Sequence, residues 1–398
     1  MDEIVVCADI HEGINFGINV DLETGISARA LDIHENFKRI ANFAIARKAK
    51  LFVIAGDLFD RTNVVPIYRE MVRKDVLEPL RANKIKVFII AGNHDQPRIP
   101  KRGTSISDFE DYDKSFITVY RTPSVERIYI ENKKILCLIL PYIHPSAVIE
   151  LMKDKLGKEI PKEQVLEVGR GIIKEWLENC VKEQADYKIL FAHYYIEGAK
   201  LREVASPEVL PGEFSITKQE ISPELDLAVL GHVHLHQKVG KSGKCEIIYT
   251  GGIERIDWGE CDDEKGFVRI SPLENKWCFE KLPTRKMELA LEANEKDPTD
   301  KIISALENVK DKMIKLTVSL PLGMRARIEE SKLRLKLKDS FYCELEWLEE
   351  EEEKIGLVSF TTNPFELLKN YIELNYSKHP KKDELHKEGI NILKEVLE

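Results

Sequence analysis

The sequence predicts an α/β fold, followed by a smaller α+β unit and two C-terminal helices. Short apolar runs rich in β-branched residues alternate with longer helical patterns over roughly the first 270 residues, which is typical of α/β proteins. The pattern changes near Pro283, and apolar residues recur at helical spacing after Pro364. The chain of 398 residues is long enough for two or three domains.

The N-terminal part contains the predicted alternation of strands and helices. Its predicted strands are Ile4–Ala8, Leu51–Ala55, Val87–Ala91, Arg127–Ile130, Ile135–Leu140, Lys188–Ala192, Asp226–Leu230, Glu246–Thr250 and Gly266–Ile270. Its predicted helices are Ala28–Lys48, Ile67–Asn83 and Glu163–Glu183. Adjacent strands in the later half indicate hairpins.

The C-terminal part is predicted to begin with a small unit that ends near Phe360. Its predicted elements are a helix at Asp300–Asn308, a strand at Ile314–Leu320, a helix from Gly323, and strands at Leu333–Leu337 and Phe341–Trp347. Four cationic residues alternate with leucines and are interpreted as one face of a strand, with contact to a DNA backbone as the alternative: Lys332, Arg334, Lys336 and Lys338. The tail is predicted to form helices at Phe365–Leu374 and Asp383–Leu397.

The net charge of −9 argues against a protein that coats nucleic acid through bulk charge. It does not exclude a nuclease, because divalent ions in a site would supply local positive charge. The seven cysteines are scattered and form no C-x-x-C pair, so we interpret them as reduced residues of a cytoplasmic protein. No signal peptide fits before the first strand, and no apolar run is long enough for a membrane span.

Five polar motifs each follow a predicted strand and contain residues that can bind metal. They are Asp9-Ile-His11, Gly56-Asp57-Leu-Phe-Asp60, Gly92-Asn93-His94-Asp95, His193 and Gly231-His232-Val-His234. Ligands of open α/β sheets bind beyond the carboxyl ends of strands, where side chains are anchored but free of the core. The glycines before three of these motifs let the backbone turn sharply at that point. The motifs therefore predict one site at the edge of the sheet.

The predicted metal ligands combine oxygen and nitrogen donors. They are Asp9, His11, Asp57, Asn93, His193, His232 and His234. A set without thiolates suits Mn²⁺, Fe²⁺ or Zn²⁺, and seven ligands are about right for two ions that share a bridge. Two such ions lie about 3.5–4 Å apart and hold a phosphoryl group for in-line attack. A single motif of this kind is usually chance, but these motifs occur in order and use five of the ten histidines.

The order D-x-H, G-D-x-x-D, G-N-H-D, H and G-H-x-H resembles the signature of the calcineurin-like metallophosphoesterase superfamily. The resemblance implies a four-layer sandwich, in which two mixed sheets are flanked by helices. It implies that Asp9, His11 and His234 hold one ion, that Asn93, His193 and His232 hold the other, and that Asp57 bridges them. It also implies that His94 is the catalytic acid or stabilises the transition state, and that Asp60 orients His94.

Longer sequence segments around these motifs resemble the SbcD-type nucleases of DNA double-strand-break repair and their archaeal and eukaryotic counterparts. They are AGDLFDR, FAHYYIEGA and, above all, the stretch YTGGIERIDWGECDDEKGF at Tyr249–Phe267. This resemblance implies an Mn²⁺-dependent 3′–5′ exonuclease or endonuclease acting on duplex ends and hairpins. It implies a nuclease domain at 1–280, a DNA-capping domain at 281–362 and C-terminal helices at 363–398. It further implies a homodimer, with contacts through the helices Ala28–Lys48 and Ile67–Asn83.

The partner implied for the tail is a coiled-coil ATPase of the SbcC type, with packing on the chain's own core as the equal alternative. Four cations that follow catalytic motifs are candidates for phosphate contacts: Arg61, Arg98, Lys101 and Arg102. Glu12 departs from the family, which more commonly has an apolar residue there. Asp60 is the residue more typical of the bacterial members. His34 and His144 are interpreted as surface or loop residues, and His236 as a surface or supporting residue.

Two other functions compete with the nuclease. A phosphodiesterase or phosphatase of small substrates would need a closed pocket in place of the capping domain. A scaffold that binds DNA ends or a partner would have no need for a complete ligand set, so the seven ligands with His94 and Asp60 argue against it.

Overall fold

The computed structural model describes most of the chain. The described residues are 3–14, 19–20, 22–97, 103–157, 161–202, 213–290, 298–306, 308–321, 324–350, 364–377, 379 and 381–397. They divide into a first unit of residues 1–288 with 311–313, and a second unit of residues 289–310 with 314–398. The first unit contains the five motifs.

One six-stranded sheet of the first unit carries three of the motifs at its strand ends. Its strands, in spatial order and numbered along the chain, are β14 (Lys276–Lys281), β13 (Gly266–Ser271), β1 (Ile4–Cys7), β2 (Leu51–Ala55), β3 (Lys86–Ile90) and β4 (Ile117–Tyr120). Strands β1 to β4 are mutually parallel, whereas β13 and β14 pair antiparallel. All of β1 and β2 is buried, which explains their continuous apolar runs.

A second six-stranded sheet carries the other two motifs. Its strands, in spatial order, are β11 (Gln237–Ser242), β12 (Cys245–Tyr249), β10 (Leu227–Gly231), β7 (Tyr187–His193), β6 (Lys133–Leu140) and β5 (Ser124–Ile130). The four central strands are parallel, and β5 and β11 each form an antiparallel pair with the strand beside them. A separate short pair joins β8 (Tyr195–Ile196) to β9 (Ser215–Ile216). The predicted hairpins are thus present.

Helices cover the outer faces of both sheets. Those on the first sheet are α1 (Ala28–Ala46), α2 (Pro66–Val72), a π-helical turn (Arg73–Leu77) and α3 (Glu78–Ala82). Those on the second sheet are α4 (Pro145–Leu156) and α5 (Val165–Cys180). A third apolar core fills the space between the sheets. The predicted four-layer α/β/β/α sandwich is therefore confirmed, and the apolar layers are its main source of stability.

The helix predicted at Ile67–Asn83 is interrupted by the π-helical turn. Pro79 has no N–H group, so it cannot bond the carbonyl of Asp75 four residues earlier, and the chain widens locally. The turn places Asp75 against α1, where its carboxylate lies 3.0 Å from Nε2 of His34.

The second unit contains a three-stranded sheet with helices. Its elements are β15 (Met287–Ala290), α6 (Pro298–Ala305), β16 (Met313–Pro321), α7 (Glu330–Leu337), β17 (Tyr342–Glu350), α8 (Pro364–Asn375) and α9 (Lys382–Leu397). Helices α8 and α9 pack against each other, with Leu368 against Gly389. Among the described helices, none combines the length and apolar composition needed to cross a lipid bilayer.

The strand predicted at Leu333–Leu337 is wrong, because this segment lies in α7. Leu333 and Leu337 are four residues apart, which places both on the buried face of a helix, while Leu335 is 66% exposed. The alternation of leucine with cations resembles a strand, but lysine, arginine and leucine are strong helix formers. The cations of this segment therefore lie on a helix and not on one face of a strand.

Several elements escape prediction from the sequence. Strands β4, β11 and β14 lie at sheet edges and lack long apolar runs, because an edge strand with one solvated side needs fewer buried residues. Helix α4 also escapes prediction. Its residues are mostly half-buried or exposed, so its apolar residues give only a weak repeat at helical spacing.

The core between the sheets predicts a large cost for truncating Phe191, which is fully buried there. We expect Phe191→Ala to lower the free energy of unfolding by about 3–5 kcal/mol, because it leaves a cavity that two sheets cannot close. Urea unfolding followed by circular dichroism measures this change. Leu22→Ala is the matched control, since Leu22 is 98% exposed, and it should stay within about 0.5 kcal/mol of the parent. Equal effects of the two variants would contradict the assigned core.

Candidate metal centre

The loops after β1, β2 and β3 meet the loops after β7 and β10 at one edge of the first unit. The parallel register sets the level along the strands at which these loops begin, because Ala55 pairs with Ile90 and Gly231 pairs with His193. The backbone N–H of Asp9 then donates to the carbonyl of Gly56 at 3.1 Å, which joins the first two loops. Six of the seven predicted ligands lie in these loops, and the seventh, His193, is the last residue of β7.

One group of side chains gathers around Asp9. The Nε2 atoms of His11 and His234 are 3.2 Å apart, although 223 residues separate them in the chain. Ligand atoms of Asp9, His11 and His234 all lie within 4.8 Å of one another. Two imidazole nitrogens and a carboxylate thus converge on one point.

A second group gathers around the amide of Asn93. Its Oδ1 atom lies 3.0 Å from Nε2 of His193 and 3.0 Å from Nδ1 of His232. The same Nε2 atom of His193 lies 3.2 Å from Oδ2 of Asp57. Two imidazoles, an amide oxygen and a carboxylate converge on this second point.

Asp57 lies between the two groups. Its Oδ2 atom is 4.0 Å from Nε2 of His11, in addition to its contact with His193. Its Oδ1 atom accepts the backbone N–H of His94 at 2.8 Å, so the carboxylate is held in one orientation. This position is the one that a bridging ligand needs.

The donor set fits divalent metal ions. Asp9, His11, Asp57 and His193 are buried, and burial of so many ionisable groups is unfavourable unless they are paired or bind metal. Among the described residues, Oδ2 of Asp9 has no hydrogen-bond partner. Oxygen and imidazole donors without thiolates suit Mn²⁺, Fe²⁺ or Zn²⁺.

The ring nitrogens that point away from the two groups face carbonyl or carboxylate oxygens. Nδ1 of His193 donates to the carbonyl of Ala55 at 2.9 Å, and Nδ1 of His234 donates to Oε1 of Glu260 at 2.8 Å. Nε2 of His232 lies 3.5 Å from Glu213, and Nδ1 of His11 lies 3.7 Å from Asp60. Such outer partners orient the imidazoles of metal sites and increase their basicity. Sequence reasoning missed Glu213 and Glu260.

The backbone at the motifs is strained. Asp9, His11 and Asp57 have φ values of 51°, 51° and 50°, and His232 has a φ of 96°. Residues with side chains rarely adopt these conformations, and each costs about 1–3 kcal/mol. Gly56 also has a positive φ. At position 92 only glycine fits, since a Cβ atom there would lie 2.0 Å from Oδ1 of Asp57.

A family model described as calcineurin-like phosphoesterase matches residues 3–236, which is more than half of the chain. The chain belongs to the calcineurin-like phosphoesterase family. It is a metal-dependent phosphoesterase, with the buried histidines and carboxylates described above as candidate metal-binding groups.

Curated relatives of this phosphoesterase include DNA repair proteins. The DNA double-strand break repair protein Mre11 of Archaeoglobus fulgidus is 29% identical over 245 residues, which cover 58% of this chain and 47% of that protein. The SbcD component of the nuclease SbcCD of Staphylococcus epidermidis is 28% identical over 230 residues, which cover 56% of each chain. The chain thus spans about half the length of these relatives.

Solved structures with a similar fold include a dimetal phosphatase from Danio rerio. It is 11% identical, with a TM-score of 0.38, and the match covers 67% of this chain and 91% of that one.

His94 of the phosphoesterase is exposed beside the two groups, with its ring edge-on to His11 at 4.7 Å between centroids. Its Nδ1 atom lies 2.7 Å from the backbone carbonyl of Asp60 and donates to it. The carboxylate of Asp60 instead faces His11 and Arg61. Asp60 therefore contacts His94 through its main chain and not through its carboxylate.

Asp95 has a role that the motif alone did not reveal. Its buried carboxylate accepts the backbone N–H groups of Leu58, Phe59 and Gly92 at 3.0–3.2 Å. These bonds tie the loop after β2 to the loop after β3. Burial and the nearby Asp57 raise the pKa of Asp95 to about 6.

Glu12, which departs from the family spelling, is fully buried against α1. Its Oε1 atom lies 3.1 Å from Nδ1 of His34, whose Nε2 contacts Asp75 on the π-helical turn. The interpretation of His34 as a surface or loop residue is therefore wrong. Although burial lowers the pKa of His34, Glu12 and Asp75 raise it above its ordinary value.

The remaining candidates are placed as follows. His144 precedes α4 and is half-buried, and its ring contacts Tyr142. His236 stacks on Phe279 with 3.8 Å between ring centroids and does not join the ligand groups. Arg61 is exposed near the centre. The other three predicted phosphate contacts, Arg98, Lys101 and Arg102, lie outside the described residues.

The electrostatics of the metal-free centre predict that metal binding releases protons. Burial lowers the pKa of His193, but the carboxylates of Asp57 and Asp9 and the hydrogen bond to the carbonyl of Ala55 together outweigh burial and raise this pKa to about 9. His193 therefore carries a proton at neutral pH, and this proton must leave before the ring can bind metal.

We expect the affinity for Mn²⁺ to rise as the pH increases from neutral toward 9, because deprotonation of His193 ceases to oppose binding. Titration calorimetry in two buffers with different ionisation enthalpies measures the released protons. A buffer-independent heat and a pH-independent affinity would contradict His193 as a ligand.

Proposed function

We propose that this phosphoesterase is a DNA nuclease that hydrolyses phosphodiesters at duplex ends and hairpins during double-strand-break repair, as a 3′–5′ exonuclease, an endonuclease or both. The observation that carries the proposal is the occurrence of all seven proposed ligand residues and His94 in a chain whose relatives include a DNA double-strand break repair protein and a subunit of a nuclease. We also propose that the protein is located in the cytoplasm.

The proposed ligand roles follow the two groups of side chains. Asp9, His11 and His234 would hold one ion, and Asn93, His193 and His232 would hold the other. Asp57, whose Oδ2 atom lies near both groups, would contact both ions. When bound, two divalent ions, which we propose to be Mn²⁺, lower the pKa of a water nucleophile and neutralise charge on the phosphoryl group.

His94 is proposed as the residue that assists the leaving oxygen. Its Nδ1 atom is engaged by Asp60, so Nε2 is the atom that can donate a proton or a hydrogen bond. Desolvation lowers the pKa of His94, but the Asp57 carboxylate raises it above its ordinary value, which favours the protonated ring. General acid assistance of this kind contributes about 10²–10⁴-fold to rates.

DNA contacts are proposed for cations in both units. Arg61 is exposed next to the centre, and α7 of the second unit exposes a basic face. That face includes Arg334 and Lys338, with Arg325 and Arg327 in the turn before it. These contacts would make residues 281–362 a DNA-capping domain and residues 1–280 a nuclease domain.

A nuclease assay tests the proposal on linear duplex and hairpin DNA, with Mn²⁺, Mg²⁺ or chelator. We expect cleavage that depends on Mn²⁺ and stops with chelator. His94→Ala should bind both ions but lower the cleavage rate by about 10²–10⁴-fold, because the proton donor is lost. His379→Ala, in the exposed turn between α8 and α9, is the matched control and should cleave like the parent.

The competing functions give different results in this assay. Turnover of a small phosphodiester without DNA cleavage would replace the nuclease by an enzyme of small substrates. The protein would instead be a DNA-end scaffold if it binds both ions but turns over neither substrate, even after addition of an ATPase partner.

The C-terminal helices at 363–398 are proposed to dock on an ATPase of the SbcC type. Tyr371 on α8 and Ile392 on α9 are 50% and 56% exposed, so in this proposal each presents an apolar side chain that the partner would cover. A homodimer is also proposed, with α1 to α3 as the contact. Leu31 on α1 and Val65 before α2 are exposed apolar residues of that region.

Hydrogen exchange with and without the ATPase tests the docking. Amides of α8 and α9 should become protected when the partner is added, whereas those of α5 should not change, because α5 packs on the second sheet. The double variant Tyr371→Asp/Ile392→Asp should abolish this protection. Unchanged exchange in both tail helices with a bound partner would remove the proposal.

A further inference from the structure

The stretch Tyr249–Phe267 lies beyond the residues matched by the family model, yet it reaches the metal centre. The backbone N–H of Gly252 donates to the carbonyl of His234 at 3.0 Å, which brings the stretch alongside the last motif. A short 3₁₀ helix at Trp258–Glu260 then directs Glu260 toward the ring of His234.

The contact between Glu260 and His234 has the geometry of a charge-assisted hydrogen bond. Oε1 of Glu260 lies 2.8 Å from Nδ1 of His234, and the carboxylate is fully buried. When the ring is neutral, donation from Nδ1 to Glu260 leaves no proton on Nε2, which is the atom that faces His11 at 3.2 Å. The contact therefore selects the ring tautomer that metal binding requires.

Glu260 is itself held by two other contacts. Nζ of the fully buried Lys265 lies 2.9 Å from its Oε2 atom and donates also to the carbonyl of His234 at 3.0 Å. The backbone N–H of Ile256 donates to Oε2 at 3.0 Å. A carboxylate with this many partners has little freedom to turn away from the ring.

Asp263 completes the buried cluster without touching His234. Its carboxylate lies 3.6 Å from Nζ of Lys265 and accepts a hydrogen bond from Arg202. It belongs to the same stretch and is equally buried. Asp263 therefore separates the effect of losing a buried charge from the effect of losing the contact with the ring.

We propose that Glu260, clamped by Lys265, is a positioning residue that orients His234 and retains the metal ion bound by Asp9, His11 and His234. The role explains why the stretch after the last motif reaches back to the centre: it supplies the outer partner of a ligand. Loss of such partners lowers metal affinity by about 10–100-fold in metal sites of known chemistry. The inference rests on the proposed ligand role of His234.

Metal binding without DNA tests the inference, so that a failure of the nuclease proposal leaves the result unaffected. Titration of the metal-free protein with Mn²⁺, followed by electron paramagnetic resonance of the free ion, gives the affinity of each site. For Glu260→Gln we expect one of two sites to weaken by about 10–100-fold and the other to keep its affinity. Asp263→Asn should keep both affinities, even if it unfolds at a lower temperature.

A double variant guards against a failure to fold. Glu260→Gln/Lys265→Met removes both buried charges and keeps their volume, so it leaves no isolated ammonium in the core. It should show the same weakened site as Glu260→Gln. Two unchanged affinities in either folded Glu260 variant, or an equal loss in Asp263→Asn, would overturn the role of Glu260.

The parent protein provides a second test, in which a variant serves only to assign the signal. In protein labelled with ¹⁵N-histidine and loaded with Zn²⁺, which is diamagnetic, His234 should show a protonated Nδ1 that exchanges slowly with solvent. His234→Asn identifies the signal by its loss. An unprotonated Nδ1, or one in fast exchange, would contradict the proposed hydrogen bond.

Discussion

The position of every proposed ligand depends on the register of the parallel strands. Cys7 lies opposite Ile54 and Ala55 lies opposite Ile90, so the loops that follow β1, β2 and β3 begin at the same height. A shift by one residue would reverse the side-chain directions along a strand and expose its apolar face. The buried layers therefore hold the register, and the register brings together side chains that are more than 200 residues apart, as His11 and His234 show.

The same dependence explains what the sequence could predict. The central strands and the five motifs carry local signals, namely apolar runs and polar residues at their ends, and they lie where expected. Glu260 and Glu213 carry no such signal, because their roles arise from contacts with rings far along the chain. Helix α7 resembles a strand in its sequence since its alternating leucines satisfy both periods, and only packing selects Leu333 and Leu337 as the buried pair.

The loops of the centre combine strained backbone with hydrogen bonds that hold them together. Strained backbone at Asp9, His11, Asp57 and His232 is unfavourable by about 1–3 kcal/mol at each residue, and the sandwich has to offset this cost elsewhere. Bonds between loops contribute, such as those from Leu58 and Gly92 to Asp95. A rigid arrangement of this kind suits catalysis, because groups that are already oriented need no rearrangement during the reaction.

The buried pair of Glu12 and His34 makes two distant positions depend on each other. A leucine at position 12 alone would remove a partner from a buried imidazole, and an apolar residue at position 34 alone would strand a buried carboxyl group. Either intermediate loses about 1–3 kcal/mol or more, whereas an apolar pair would pack without penalty. Exchange of this pair for an apolar pair therefore passes through a less stable single variant unless both residues change together, which couples the residue beside His11 to a position on α1.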